Sequence, residues 1–217
     1  MKRRDLLTLR GGVAIALAAG CACLLAGCTP TAEQFMPRYT DGGPTPLAFV
    51  VCHGYGCDLK TRVTLSAEEW RAVRARFSPA AGDAAAERAQ IAQAIAVLES
   101  LVGIRTGTNA HQRRDFRNTG DETQMDCIDQ TSNTWTYLTL MQDDGLLAHH
   151  RVGKPIYRGG LLTFDLSNTA VVVETESGAS FALDATMVDA GVPPPVEPVQ
   201  QWMAEVEPLW SARPYPP

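Results

Sequence analysis

One stretch of the chain decides the fold, and it runs Gln124-Met125-Asp126-Cys127-Ile128-Asp129-Gln130-Thr131-Ser132-Asn133-Thr134-Trp135. Apolar residues recur beyond it at helical spacing, and Gly145 is a typical C-terminal stop. A helix is therefore predicted from about Asp126 to Asp144. Its core face would consist of Ile128, Thr131, Trp135, Leu138 and Met141.

Cys127 would lie in the first turn of this helix, directly after a loop. Free amide groups and the helix dipole at that end favour a thiolate, which is the nucleophilic form of cysteine. The neighbouring Asp126 and Asp129 oppose this by repulsion, although either carboxylate can cap the helix. The alternative is a small buried side chain without chemistry.

A hairpin is predicted before this helix. Residues 47–52 form an unbroken apolar run, and residues 59–65 alternate between apolar and polar types. The glycines between them suit a loop that places Cys52 opposite Cys57, where a disulfide is feasible. Alternatively, Cys52, His53 and Cys57 could contribute to a metal site, although a fourth ligand at recognisable spacing is missing.

Two helices should follow the hairpin. Ser66 and Glu69 form a capping box for the first, and Asp83 can cap the second, which Gly103 would end. Residues 104–125 then form a polar loop. Its arginines could meet an anionic ligand, although a solvated loop is the simpler interpretation; they are Arg105, Arg113, Arg114 and Arg117.

Strands are predicted beyond the cysteine-bearing helix, at 161–166, 169–175 and 180–185. The turn at 176–179 would join the last two as a hairpin. A Pro-rich tail with a short helix near 198–206 closes the chain. These elements predict one α+β domain at 47–217, with antiparallel strands after the cysteine-bearing helix.

The order of these elements resembles the core of transglutaminase-like and papain-like cysteine enzymes. In that core a cysteine opens a helix, a histidine begins the next strand, and an aspartate closes the strand after it. The resemblance implies that Cys127 is the nucleophile and Asp184 orients the base. Residues 124–134, with Thr169-Ala170-Val171, are also similar to an uncharacterised proteobacterial family that has a histidine just before that strand. The likeness covers about residues 47–205.

This sequence departs from the pattern at the base, because Leu166-Ser167-Asn168 stands where the histidine is expected. His149 and His150 follow the far end of the helix, roughly 27 Å from Cys127 at 1.5 Å per residue, which excludes them if the helix is unbroken. His111, in the loop before the helix, could reach Cys127, and so could His53 through tertiary folding. Neither occupies the position that the resemblance implies.

Residues 1–27 have the layout of an export signal, with basic residues before an apolar run too short to span a bilayer comfortably. Leu25-Ala26-Gly27-Cys28 resembles the lipobox of bacterial lipoproteins, which implies cleavage before Cys28 and acylation of its thiol; Cys21 is a poorer rival. An ordinary cleaved signal or a short membrane helix are the alternatives. Residues 28–46 would form a flexible tether, and Thr29 resembles the signal for sorting to the outer membrane.

Removing residues 1–27 leaves 15 basic and 23 acidic residues, a formal charge of −8. This acidic balance argues against a nucleic-acid partner. We therefore expect a lipoprotein on the periplasmic face of the outer membrane. Its partners would be the lipid bilayer, through acylated Cys28, and as a further candidate an envelope protein or peptide.

Two functions follow for the globular domain. The first is a binding or structural role with a degenerate catalytic site. The alternative is a cysteine-dependent acyltransferase, amidase or peptidase that uses Cys127, with His111 or His53 as base and Asp184 in support. Neither function requires a cofactor or a metal ion.

Overall fold

The computed structural model describes residues 43–113, 120–160 and 163–205. These residues combine α-helices with antiparallel sheets, which confirms the predicted mixture of helix and antiparallel strand. The predicted signal, Cys28 and most of the predicted tether lie outside the described residues, as do Arg114, Arg117 and the last part of the Pro-rich tail. Within the described part of the chain, no helix is long and apolar enough to cross a membrane.

The first two strands, β1 (Phe49–His53) and β2 (Leu59–Val63), form the predicted antiparallel hairpin. Its register pairs Cys52 with Lys60, so Cys57 lies in the connecting loop and does not stand opposite Cys52 as predicted. Strand β1 begins two residues later and ends one residue later than predicted, and β2 begins as predicted at Leu59 and ends two residues earlier than predicted. The backbone N–H of Leu65 donates to the carbonyl of Pro46, which fixes the entry of the chain into the domain.

Helix α1 (Ala67–Arg74) begins with the predicted capping box between Ser66 and Glu69. Helix α2 (Ala84–Thr106) has the predicted cap, since the Asp83 side chain accepts from the N–H of Ala86 at 2.7 Å.

The predicted end of α2 at Gly103 is wrong. The helix continues to Thr106, and Gly107 ends it with a φ of +80°. Gly103 serves a different purpose, because a Cβ at that position would lie 2.8 Å from the backbone nitrogen of Asn109. The glycine therefore lets the 3₁₀ turn at Thr108–Ala110 fold back against the helix.

Helix α3 (Cys127–Asp143) confirms the predicted cysteine-bearing helix, with Asp126 as its N-cap. It is buried on nearly all sides, because the β1–β2 hairpin, α2 and the larger sheet surround it. The predicted core face was therefore too narrow. Its fully buried side chains include both apolar and polar residues, namely Tyr137, Leu138, Met141, Asp129, Gln130 and Ser132.

The larger sheet contains β3 (His150–Val152), β4 (Ile156–Gly160), β5 (Thr163–Glu174), β6 (Ser180–Leu183) and β7 (Val196–Pro198). All neighbours are antiparallel, in the order β3-β5-β6-β7, with β4 beside the other half of β5.

Strand β5 is one strand of 12 residues, where the sequence predicted two strands separated at Ser167-Asn168. It continues through that point because β4 pairs with it there, joining Asn168 to Tyr157 and Ser167 to Arg158. The predicted turn to β6 is confirmed, with the N–H of Glu174 donating to the carbonyl of Ala179 at 2.8 Å. Helix α4 (Val199–Ala204) lies in the predicted C-terminal helical segment and buries Trp202 completely.

Candidate functional site

Cys127 is the first residue of α3, and its position follows from how the helix begins. The Asp126 side chain accepts hydrogen bonds from the N–H groups of Ile128 and Asp129 at 2.9 and 3.0 Å. The Asp129 side chain in turn accepts from the N–H of Asp126 at 3.1 Å. This capping box fixes the helix start, so the adjacent thiol has a defined place. Cys127 is half-buried and is the free cysteine of the described residues.

Among the described residues, the Cys127 sulfur has two hydrogen-bond partners, and both lie on β5. The amide nitrogen Nδ2 of Asn168 donates to Sγ at 3.5 Å, and Sγ lies 4.0 Å from the carbonyl oxygen of Leu166. Asn168 is buried. An amide nitrogen can donate to the sulfur but cannot accept a proton from it at neutral pH.

The surroundings of Cys127 keep its thiol protonated. Burial raises the pKa of Cys127, and the charges of Asp126 and Asp184 raise it further, while the hydrogen bond from Asn168 acts in the opposite direction. The net direction is upward. The favourable dipole at the helix N-terminus therefore does not produce an activated thiolate here.

Asp184 lies directly after β6, at the end of the sheet nearest Cys127. The register pairs Ala170 with Leu183, so Asn168 and Asp184 follow at the same end of β5 and β6. The Asp184 carboxylate accepts from the N–H of Thr186 at 3.1 Å, from the Thr186 hydroxyl, and from Nε1 of Trp202 at 2.7 Å. The chain thus brings together the cysteine, the residue at the expected base position and the aspartate, and α4 holds the aspartate in place.

The two histidines proposed as substitute bases are held by other groups. The Nδ1 of His111 accepts from the N–H of Met125 at 3.2 Å, which places this ring near the start of α3. The Nδ1 of His53 lies 2.8 Å from the carbonyl oxygen of Glu122, and its Nε2 lies 2.9 Å from the Thr61 hydroxyl. Neither ring is a hydrogen-bond partner of the Cys127 sulfur in the described parts of the chain.

The remaining two histidines belong to a separate cluster at the opposite end of β5. The Nδ1 of His150 lies 2.8 Å from a carboxylate oxygen of Glu87, and the N–H of His149 donates to the same carboxylate at 3.0 Å. These contacts agree with the prediction that His149 and His150 lie too far from Cys127 to act as its base. A cavity of about 590 Å³ lies in this region, between the start of α2 and the β5–β6 turn, and Arg88, His149 and Glu174 help to line it.

Cys52 and Cys57 are joined by a disulfide. The loop that it closes lies over the start of α3, where backbone N–H groups of Tyr55 and Cys57 each donate to Asp129 at 2.8 Å. The N–H of Gly56 donates to Asp126 at 2.9 Å. Consecutive positive φ angles from Gly54 to Cys57 turn these N–H groups toward the two carboxylates.

Sequence reasoning considered Asp126 and Asp129 only as helix caps and as charges beside Cys127, and so it missed their second role as anchors for the disulfide loop. It also missed Asn133, whose side chain accepts from the N–H of Cys52 at 2.7 Å and donates to its carbonyl at 2.8 Å. The available signal was a buried asparagine on a helix that faces a strand, since such an amide needs partners.

Two ligand groups that the sequence offered only as alternatives are not assembled. His53 does not join Cys52 and Cys57, because both of its ring nitrogens face other partners. Arg105, which was predicted to lie in the polar loop after α2, lies within that helix and pairs with Glu69 at 2.6 Å.

Comparison with protein families, with curated proteins and with solved structures gives no significant match for this chain.

Proposed function

We propose that this chain is a lipid-anchored protein of the bacterial cell envelope whose globular domain has a transglutaminase-like arrangement and acts by binding or support, without turnover. The segment before Cys28 supports the anchor, since its basic start, apolar run and lipobox-like end are the features that export and acylation require. Two or more acyl chains provide stable membrane attachment without a transmembrane helix.

The contact between Asn168 and Cys127 carries the argument against turnover. A cysteine nucleophile needs a proton acceptor within about 2.6–3.2 Å, and the group at this position is an amide that donates to Sγ at 3.5 Å. Burial also raises the pKa of the thiol, so the sulfur stays protonated at neutral pH. The chain order that the resemblance implies for a catalytic triad is thus present, but the amide of Asn168 stands between Cys127 and Asp184 where the base is expected.

Alkylation of Cys127 tests this proposal. The mature lipoprotein in detergent is treated with iodoacetamide between pH 6 and pH 10, and modification is read at Cys127 by mass spectrometry. We expect an apparent pKa above the ordinary value of about 8.5 and a rate at pH 7 below that of an unstructured cysteine peptide. A Cys127 that reacts at pH 7 faster than the peptide would contradict the degenerate site.

A cysteine-dependent acyltransferase or amidase is the alternative, and one observation favours it. The N–H of Met125, two residues before Cys127 in sequence, donates to Nδ1 of His111 at 3.2 Å and so holds the His111 ring near the start of α3. If a movement of the loop brought this imidazole to the sulfur, His111→Asn would raise the apparent pKa of Cys127. An unchanged alkylation profile in His111→Asn is the outcome expected from the degenerate site.

A further inference from the structure

A group of metal-binding residue types lies beneath the disulfide loop, apart from Asn168 and Asp184. One sulfur from each of Cys52 and Cys57 and one carboxylate oxygen of Asp129 all lie within 4.8 Å of one another. Cys52 and Asp129 are fully buried, and Cys57 is 4% exposed. Cys127 packs against the same two cysteines and Ile128.

We propose that reduction of the Cys52–Cys57 disulfide converts this group into a binding site for a thiophilic divalent cation such as Zn²⁺. Cys52, Cys57 and Asp129 would supply three ligands, and the Cys127 thiol or a water molecule would complete a tetrahedral set. The site does not depend on the proposed function, because it uses neither the lipid anchor nor the amide at position 168.

The separations suit tetrahedral coordination. With metal–sulfur distances of about 2.3 Å and metal–oxygen distances of about 2.0–2.2 Å, tetrahedral ligand atoms lie roughly 3.5–3.8 Å apart. The two sulfurs need only part from bonding distance to that separation. One carboxylate oxygen of Asp129 lies within 4.8 Å of both sulfurs. The rearrangement is therefore a local one, confined to the disulfide loop and the first turn of α3.

The charge of the site favours a cation. The hydrogen-bond partners of the Asp126 and Asp129 carboxylates are backbone N–H groups, and in the described part of the chain no lysine or arginine pairs with either. Asp129 is buried and Asp126 is half-buried, so two carboxyl groups lie side by side without a positive side chain to pair with them among the described residues.

The loop also keeps the ligands in place when the disulfide opens. The N–H groups of Tyr55 and Cys57 hold the Asp129 carboxylate from the loop side. Asn133 ties both backbone groups of Cys52 to α3. These hydrogen bonds orient the ligands as the outer shell of a metal site does, and they do not require the sulfur–sulfur bond.

Opening the Cys52–Cys57 disulfide requires a two-electron reductant. In the cell a dithiol would transfer two electrons and two protons to the disulfide and become a disulfide itself. In the assay a phosphine takes the oxygen of one water molecule, becomes a phosphine oxide and leaves two thiols. Binding of the cation then displaces the thiol protons, so metal affinity should rise with pH.

Titration with Co²⁺, a coloured substitute for Zn²⁺, tests the site. The mature lipoprotein in detergent is reduced with excess phosphine under argon, and its absorption spectrum is followed as Co²⁺ is added. We expect a thiolate-to-cobalt charge-transfer band that saturates at one equivalent and disappears when Zn²⁺ is added. The unreduced protein, which is folded and keeps Asp129 and Cys127, should give no such band.

Two matched variants assign the ligands. Asp129→Asn should weaken Co²⁺ binding by about tenfold or more, whereas His53→Gln should leave it unchanged. Circular dichroism of each reduced protein verifies that the helices remain. No charge-transfer band in the reduced, folded protein would overturn the proposal, and so would an equal band in the unreduced protein or undiminished affinity in Asp129→Asn.

Discussion

At the scale of single residues, the chemistry of the domain depends on which side chain faces the Cys127 sulfur. Asn168 and histidine have similar length, but only the imidazole can accept the thiol proton. The buried Asn168 amide already lies 3.5 Å from Sγ, so a ring at this position would begin close to the reacting atom.

Asn168→His should therefore lower the apparent pKa of Cys127 and speed its alkylation at pH 7 by on the order of tenfold. Iodoacetamide labelling followed by mass spectrometry measures the rate. Asn168→Gln is the matched control, because it keeps the amide and adds length without adding a base. An equal increase in both variants would show that exposure of the sulfur, and not the base, limits the reaction.

Trp202 is a second residue with a defined role, because it stabilises the fold through its hydrogen bond to Asp184. Its Nε1 donates to the buried carboxylate at 2.7 Å, and the ring is fully buried. Trp202→Phe keeps an aromatic ring but leaves one carboxylate oxygen without its donor. We expect the free energy of unfolding to fall by about 1–3 kcal/mol, measured by urea denaturation. Met203→Leu, on an exposed side chain of the same helix, should change it by less than about 0.5 kcal/mol.

At the scale of elements, Gly103 shows how tertiary contact can override helix propensity. Alanine is the better helix former by about 1 kcal/mol, yet a Cβ at Gly103 would lie 2.8–3.0 Å from three atoms of Asn109. Two of those atoms belong to the backbone, which cannot rotate away as a side chain can.

Gly103→Ala should therefore lower the midpoint of thermal unfolding although it improves the helix. Gly82→Ala is the control, because nothing lies within 4 Å of a Cβ there. We expect Gly82→Ala to be neutral or slightly stabilising through the entropy of the unfolded chain. If Gly103→Ala raised the midpoint instead, the turn at 108–110 would have to be able to move away from α2.

Some features of these helices and strands could be predicted from the sequence, and others could not. Caps are local signals that need only the next few residues, so Ser66 and Asp83 were predicted correctly as caps. For the third helix the sequence left Asp126 and Asp129 as alternatives, and Asp126 is the N-cap. The continuous β5 was missed because β4, whose Tyr157 pairs with Asn168, was not predicted at all. Likewise, the burial of α3 on most sides depends on partners distant in the sequence.

For the candidate site, local sequence features predicted that Cys127 opens a helix, whereas Asp184 was selected only because the resemblance implies an aspartate after the second strand. The contacts that decide their chemistry are not local. The donor to the sulfur is 41 residues away in sequence, and Asp129 accepts from a loop more than 70 residues away. No spacing pattern reports such contacts in a single sequence.

At the scale of the whole molecule, the proposed anchor determines where the domain works. Cys28→Ser would remove the thiol that is proposed to carry the lipid. We expect the protein to move from the membrane fraction to the soluble fraction or to keep its signal uncleaved, as measured by fractionation and intact mass. Cys21→Ser should leave attachment unchanged, whereas loss of attachment in that variant would reassign the acylated cysteine.

Stability of the whole domain should depend on pH through its buried acids. Burial raises the pKa of Glu99 to about 7, and its Oε1 has no hydrogen-bond partner among the described residues. Between the ordinary pKa of about 4.3 and pH 7, the folded state keeps a proton that the unfolded chain has lost. The free energy of unfolding should therefore fall as pH rises through this range, and Asp129, whose pKa is also raised to about 7, acts in the same direction.

Glu99→Gln separates the two acids, because glutamine fills the same volume and cannot ionise. The variant should lose the Glu99 part of the pH dependence, so its stability relative to the unmodified protein should improve by roughly 1–3 kcal/mol from pH 5 to pH 8. Urea denaturation at each pH measures this difference, with the exposed Glu68→Gln as control. Parallel pH profiles for Glu99→Gln and the unmodified protein would contradict this prediction and would mean that water reaches the Glu99 carboxylate. The pH dependence of stability that remains in Glu99→Gln reports the pair of carboxyl groups beneath the disulfide loop.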